Sequence, residues 1–365
     1  MAFTAADVKA LREKTGVGMM ECKKALTEAE GDMDKAVEIL RERGLATAAK
    51  KASRVAAEGV VAALTNDKCG ALVELNCETD FVAGGPDFNE LAKKVVKTVV
   101  DARPADLDAL LKAPCADEGT VEEAVQNVFF KLRENMKVRR FALIDGHVTS
   151  YIHAKGTVGV LVDFDTDDET AANPEFVAMA KNVAMQIAAM NPEYLKKEDI
   201  SDDELAKMRT ITIESGLNKA ETLPKPILTK VVEATIAKGL WSDEDVKNYE
   251  EQKNNKFLFN FLTKEGIAAL GQVAVEGKEE YAANPIFGKA VEGRIQKQIK
   301  EICLLEQAFV RSDLFEGDVK GYVASVAKAL GKNIAVKSFV RFEKGEGIEK
   351  KEENFADEIA KMVNK

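Results

Sequence analysis

The chain has 365 residues, enough for two or three compact units around more than one hydrophobic core. Hydrophobic residues make up 46% of it but aromatic ones only 6%, with a single Trp, so its cores are expected to be built mostly from Ala, Val, Leu and Ile, a composition that favours helices with some β structure. Lys and Arg number 52 against 62 Asp and Glu, and the resulting net charge of -10 repels a phosphate backbone, so no direct nucleic-acid partner is expected.

The five cysteines (Cys22, Cys69, Cys77, Cys115, Cys303) are odd in number, scattered, and form no C-x-x-C pair. Neither a disulfide framework nor a metal site is indicated, and no cofactor is expected. The chain enters a helix start at Thr4-Ala5-Ala6-Asp7 and contains no long apolar run. A cytoplasmic protein with no membrane partner is therefore expected.

Taken in order, residues 1–55 read as a three-helix unit. Thr4 caps a helix with Val8 and Leu11 inward, and Thr15-Gly16-Val17-Gly18 breaks it. A second helix runs from about Met19 to Ala29, and a third places Met33, Ala36, Val37 and Leu40 at helical spacing until Gly44 is expected to stop it. The basic stretch Lys50 to Arg54 reads as a solvated linker helix. A core subdomain over 56–140 follows. Gly59 to Leu64 and Ala71 to Cys77 form a hairpin through Asn66-Asp67-Lys68, two amphipathic helices come next, and a strand from about Val138 to Ile144 closes the unit.

The pattern then recurs. Asp145-Gly146 matches Glu58-Gly59, and Gly159 to Phe164 matches Gly70 to Leu75, which marks an internal repeat. The second core subdomain spans 141–195 and 303–343, with a helix from Pro174 to about Met190 and a closing strand delayed to Ile334–Phe342. Between its parts lies a charged, helix-rich excursion, 196–302, expected as antiparallel projecting helices, with Leu-Pro-Lys-Pro at 223–226 and Asn284-Pro285 as breaks. Trp241 before Ser242 suggests a capped helix with a hydrophobic staple, and the apolar cluster Phe257 to Leu262 is expected in a local core, with a docking surface as the alternative. Residues 344–365 read as a carboxy-terminal helical module. The fold class is α+β, mainly helical.

Signals for covalent chemistry are sparse. There is no G-x-x-x-x-G-K-S/T phosphate loop, no G-x-S-x-G elbow and no H-E-x-x-H helix, and only His147 and His153 are present. No enzyme is expected. The segment that stands out is Asn76-Cys77-Glu78-Thr79-Asp80-Phe81-Val82-Ala83-Gly84-Gly85-Pro86, where an acid and an aromatic residue sit between a strand and a Gly-Gly-Pro loop. Chemistry alone favours a core Phe at a strand end.

Thr15-Gly16-Val17-Gly18-Met19-Met20-Glu21-Cys22-Lys23-Lys24-Ala25-Leu26, followed by Gly31-Asp32 and Lys35-Ala36, closely resembles the opening of the bacterial elongation factor Ts family. Asn76 to Ala83, Ser150 to His153, Glu292-Gly293-Arg294, Leu305-Glu306-Gln307 and Phe339 to Lys350 fall in that family's order, so the resemblance covers nearly the whole chain except about 215–283. It implies a ubiquitin-associated-like amino-terminal domain, two related core subdomains, a protruding helical hairpin and a carboxy-terminal helix. It also implies a guanine-nucleotide exchange factor that binds elongation factor Tu and promotes GDP release during translation.

The same resemblance implies that Thr79, Asp80, Phe81 and Val82 are the probe that disturbs the partner's magnesium site, with Phe81 as the wedge. It implies that Arg12, Met19 and Met20 dock on the partner's GTPase domain, that His153 reaches toward its phosphate-binding loop, and that Val310 makes a further contact. The competing function is an adaptor without exchange activity, using the three-helix module alone. The stretch 215–283 exceeds the family's hairpin; an enlarged hairpin, a homodimer contact and a site for an unrelated partner are all open for it.

Overall fold

A computed structural model describes residues 3–349. Of the carboxy-terminal module expected at 344–365, residues 344–349 form a turn and a short tail, and the remainder lies outside the described residues. The described residues divide into two compact units, one of residues 3–191 and 309–349, the other of 192–308.

The first unit opens with α1 (Ala5–Thr15), α2 (Met19–Glu28) and α3 (Met33–Lys51). Thr4 and Asp7 close a reciprocal capping box, Gly16 ends α1 at φ 68°, and Asp32 caps α3 by accepting from the N–H groups of Asp34 and Lys35. Leu11, Cys22, Leu26, Ala36 and Leu40 form the bundle core. Gly44 does not stop the third helix. It sits inside α3 because it is a contact point: a Cβ there would overlap the Phe130 ring, so the missing side chain lets α3 lie close against α7 (Val121–Leu132). The basic stretch after it is not simply solvated, since the Lys51 ammonium donates to the Arg133 carbonyl and the Asn135 amide donates to the Arg54 carbonyl at 2.8 Å.

The two core layers follow one plan. β1 (Glu58–Thr65) and β2 (Cys69–Cys77) form an antiparallel hairpin whose turn is fixed by the Asn66 side chain, which accepts from Lys68 and Cys69 N–H groups at 2.9 Å each. A single helical turn, α4 (Asp80–Ala83), leads into α5 (Pro86–Ala102); α6 (Leu107–Lys112) and α7 follow, and β3 (Lys137–Asp145) returns to pair with β2.

In the second layer β4 (His147–His153) and β5 (Val158–Asp165) form the hairpin, α8 (Asp168–Ala171) the single turn and α9 (Pro174–Met190) the long helix. β6 (Ala335–Glu343), reached after the second unit and α16 (Val319–Leu330), closes that sheet on β5. The correspondence is detailed. The two long helices have 17 residues each, start with Pro in the first turn and end at a left-handed residue, Arg103 or Asn191. The closing strands slip register at matching places, between Glu74 and Leu75 and between Asp163 and Phe164.

Where the two sheets meet, Glu74 is wholly buried on the central strand of the first. Its carboxylate accepts from Arg139 at 3.0 Å, Arg140 at 2.6 Å, Asn76 at 3.1 Å and the Gly345 N–H at 2.8 Å. Arg140 also donates to the Glu343 carbonyl and lies over the Phe342 ring. Burial pushes the Glu74 carboxyl up, but these donors outweigh it and hold the group below the ordinary glutamate value.

The second unit is helical, with α10 (Asp202–Leu217), α11 (Lys225–Ala237), α12 (Asp243–Gln252), α13 (Lys264–Glu276), α14 (Lys278–Ala282) and α15 (Pro285–Ile302). α10 and α15 pack as a pair, tied by Arg209 to Glu292 at 2.7 Å, and the stretch between them folds onto that pair around Leu217, Ile227, Val231, Leu270 and Val291. The expected proline breaks are helix starts: Pro226 lies in the first turn of α11 and Pro285 opens α15. Trp241 packs edge-on against Tyr249 and donates to the Gly266 carbonyl at 2.8 Å, while Ser242 caps α12. The aromatic cluster divides, with Leu258 and Leu262 buried and Phe257 and Phe261 exposed.

Two outcomes test these packing arguments. Gly-to-Ala exchange inside a helix ordinarily stabilises by about 0.5–1 kcal/mol. Gly44→Ala is expected instead to lower the unfolding free energy by about 1–3 kcal/mol, because the new methyl must expel Phe130 from its seat. Chemical denaturation reads the sign directly.

Glu74→Gln is expected to cost about 2–4 kcal/mol at pH 7, less than a wholly buried pair because both arginines reach solvent. The Glu74 pKa is depressed in the folded state, so its stabilisation is present above the unfolded value of about 4.3 and fades as pH falls below it. The gap between wild type and variant in denaturant melts should therefore narrow from pH 6 to pH 3.

Candidate partner-docking site

Strand β2 runs buried to Cys77, after which Thr79, in extended conformation, caps α4. A single turn has two sides. Val82 and Ala83 face the core of the first layer, so Asp80 and Phe81 are turned outward, and Phe81 is left 88% exposed. That placement overturns the reading from residue chemistry alone, which favoured a core Phe, and leaves the side chain at the surface, where the family resemblance called for it. The physical reason is the brevity of the element, which cannot turn both Val82 and Phe81 inward.

The turn is braced from several directions. The Thr79 hydroxyl donates to Glu134 at 2.6 Å and the Thr79 N–H donates to the other oxygen of the same carboxylate at 3.0 Å. The Cys77 thiol donates to the Thr79 carbonyl at 3.1 Å; burial, and then the charge of Glu134, push that thiol up to about 12, so it keeps its proton at neutral pH. On the far side Asn89 donates to the carbonyls of Ala83 at 2.9 Å and Gly85 at 2.8 Å. Gly84 and Gly85 have φ of -79° and -74°, values open to any residue, so neither glycine marks a left-handed hinge.

The second layer supplies an internal comparison. There Asp167 caps α8 by accepting from the Thr170 N–H at 2.7 Å, and Lys332 pairs with Asp167 and Glu169. Counted from the cap, Glu169 holds the place of Phe81. One scaffold thus carries an ion-paired acid at this surface position in one copy and an exposed aromatic ring in the other. Solvation accounts for the acid but not for the ring.

The remaining residues singled out in the sequence are placed as follows. Arg12 is exposed on α1, and Met19 and Met20, at 50% and 66% exposure, lie on the first turn of α2 outside the bundle core. Their bundle joins the core layer through Gly44 on Phe130 and an Arg41–Glu123 ion pair at 2.5 Å. His153 is exposed at the end of β4, 3.1 Å from the Tyr151 hydroxyl. The turn after it runs through left-handed Ala154, Lys155 and Gly156, and the Gly156 carbonyl accepts from the Val61 N–H on β1 at 2.8 Å.

Because α4 also packs on β1, that strand brings the turn of Phe81 and the turn of His153 onto one support. Val310 is exposed and separately held: its N–H donates to Gln186 of α9 at 2.9 Å, beside Phe309 stacked on Tyr322. His147 lies 3.3 Å from Asp168, a link between strand and turn. Sequence reading missed Glu134 and Asn89. Glu134 acts 55 residues from Thr79, a separation that no local pattern reveals. Among the described residues no group of His, Cys, Asp or Glu is arranged to hold a metal ion, and no helix is long and apolar enough to cross a membrane.

Comparison with known proteins sets this chain among the elongation factors. The family model described as "Elongation factor TS" matches residues 78–246 and 240–346. Elongation factor Ts of Clostridium botulinum (strain Eklund 17B / Type B) is 41% identical over 370 residues, covering 100% of both chains. That of Clostridium perfringens (strain SM101 / Type A) is 40% identical, also over the full length of both, and that of Clostridioides difficile (strain 630) is 39% identical over 99% of each. The chain belongs to the elongation factor Ts family.

If Phe81 has no structural task in its own subunit, removing it leaves stability unchanged. Phe81→Ala is expected to shift the unfolding free energy by less than about 0.5 kcal/mol, against about 3–5 kcal/mol for a core Phe. Urea denaturation followed by circular dichroism separates the two values.

Proposed function

We propose that this chain is a guanine-nucleotide exchange factor for the GTPase elongation factor Tu, and that the Thr79-Asp80-Phe81-Val82 turn is the element that drives GDP out. The observation that carries the reading is the ring of Phe81, exposed on a braced turn whose counterpart in the second layer bears Glu169. Family membership supports the choice of partner.

Exchange requires that the factor and the nucleotide weaken each other's binding, and by reciprocity the coupling is the same in both directions. Burying one Phe side chain in a partner contributes about 1.5–3 kcal/mol, which corresponds to about one to two decades in affinity. A ring presented on a turn with its polar groups already bonded loses little conformational freedom on docking, so more of that energy is available to distort the partner.

Phe81 enters between helices beside the magnesium site, Asp80 contributes polar contacts there, and removal of magnesium leaves the phosphate charge poorly neutralised. Arg12, Met19 and Met20 on the amino-terminal bundle, His153 on the β4–β5 turn, and Val310 spread the grip. Flexible thioethers suit such a surface. No covalent step and no cofactor of its own enter this mechanism, and its place of action is the cytoplasm.

Release of fluorescent GDP from elongation factor Tu, timed with and without the protein, is the test. The wild-type chain should accelerate release, and Phe81→Ala should lower the saturating rate by about ten- to a hundredfold, the range set by burial of one ring. Full acceleration by Phe81→Ala overturns the wedge. No acceleration by the wild type overturns exchange altogether.

A further inference from the structure

We infer that Glu134 is the positioning residue of the Phe81 turn, an assignment that rests on the exchange reading above. The comparison between the two layers shows why such a residue is needed. In the second layer the cap is a carboxylate: Asp167 accepts the Thr170 N–H at 2.7 Å with no proton of its own to place. In the first layer the cap is the hydroxyl of Thr79, and its bond from the Val82 N–H is long, at 3.4 Å. A hydroxyl is aligned by whatever accepts its proton. That acceptor is Glu134, at 2.6 Å, and its second oxygen takes the Thr79 N–H at 3.0 Å. One carboxylate therefore fixes both the side chain and the backbone of the residue from which α4 starts, two residues before the ring.

The loop that carries Glu134 is itself held on both sides. Arg133, left-handed at φ 61°, ends α7 and its carbonyl accepts from Lys51. Asn135, buried, donates its N–H to Glu78 at 2.6 Å and its amide to the Arg54 carbonyl at 2.8 Å. Residues 133–135 thus bond to the chain leaving α3 and to the two residues that precede the ring's turn. The brace indexes Phe81 to the tail of the amino-terminal bundle as well as to β3. Glu134 does not touch the partner; it acts by fixing the direction in which the ring points.

Glu134→Gln keeps the shape but can no longer accept both Thr79 protons: its oxygen takes the N–H and its amide donates to the hydroxyl oxygen, so the hydroxyl proton loses its acceptor and the turn loses its alignment while the fold is retained. Thr79→Val removes the hydroxyl from the other side and serves as the second variant. In the GDP-release assay, Glu134→Gln is expected to lower the saturating rate about tenfold, the scale of loss for a reacting element displaced by less than about 1 Å. The half-saturating concentration should change by less than about twofold, because the docking contacts elsewhere are untouched. Thr79→Val should follow in the same direction.

The deciding measurement is the double variant: on a Phe81→Ala background, Glu134→Gln should add less than about twofold, since it acts only through the ring. A saturating rate at the wild-type level for Glu134→Gln, with Phe81→Ala slow, overturns the brace alone. So does a full, additive loss on the Phe81→Ala background. Phe81→Ala at the wild-type rate overturns the brace together with the reading beneath it.

Discussion

The buried carboxylate of Glu74 is the constraint on which the first unit depends. A charge placed on the central strand of a sheet, with no exposure, is tolerated only if every lone pair is met. The partners come from β3 and from the segment just after β6: Arg139 and Arg140 from the one, the Gly345 N–H from the other. Satisfying one group thus requires the last strand of the second layer to end against the first layer. Gly345, at φ 70°, fits there because a Cβ would overlap the Ala57 carbonyl. The matching acid of the second layer, Asp163, is also buried, but among the described residues it has a single ion pair, to Lys337 at 3.2 Å, and one oxygen without a partner. The repeat is therefore one of backbone plan, and its two buried acids serve different degrees of attachment.

That attachment sets the end of β2, and with it everything that follows. Because β2 is fixed from Cys69 to Cys77, Thr79 emerges at a defined point, Glu134 meets it from the α7–β3 connection, and the ring of Phe81 is aimed by groups that are themselves buried or bonded. An exposed aromatic side chain on a mobile loop would lose on docking much of what its burial gains. On this turn the loss has been incurred already in folding. The same logic explains why the Gly84-Gly85 pair does not loosen the site: both residues adopt ordinary backbone angles, and Asn89 bonds the carbonyls around them.

The second unit is a long insertion between α9 and α16 of the second layer. Its ends meet each other, with the Leu304 N–H donating to the Tyr194 carbonyl at 2.8 Å, so the excursion leaves and returns through one doorway. Between those ends it carries enough Leu, Val and Ile to form a core of its own. A long insertion closed in this way costs the host little, because loop-closure entropy grows only slowly with length.

How much of this was written in the chain follows from which forces are local. Caps and hairpins depend on neighbours a few residues apart, so the caps Thr4 and Ser242 and the Asn66 turn could be read directly, and so could the span of α9 and the delayed closing strand. The repeat and the family were legible because both are patterns of residue order. Gly44 was misread for the same reason: local propensity says stop, and only a ring from α7, distant in sequence, turns that glycine into a packing contact. The apolar run Phe257 to Leu262 likewise divided into buried and exposed members only when its neighbours were in place. For the site, sequence supplied the segment and the family resemblance suggested the role proposed for it, but burial is a property of the folded surface. Tertiary structure alone decided that Phe81 points outward, that Met19 and Met20 lie outside their bundle core, and that a carboxylate 55 residues away holds the turn, because each of these outcomes is set by groups the chain brings together only on folding.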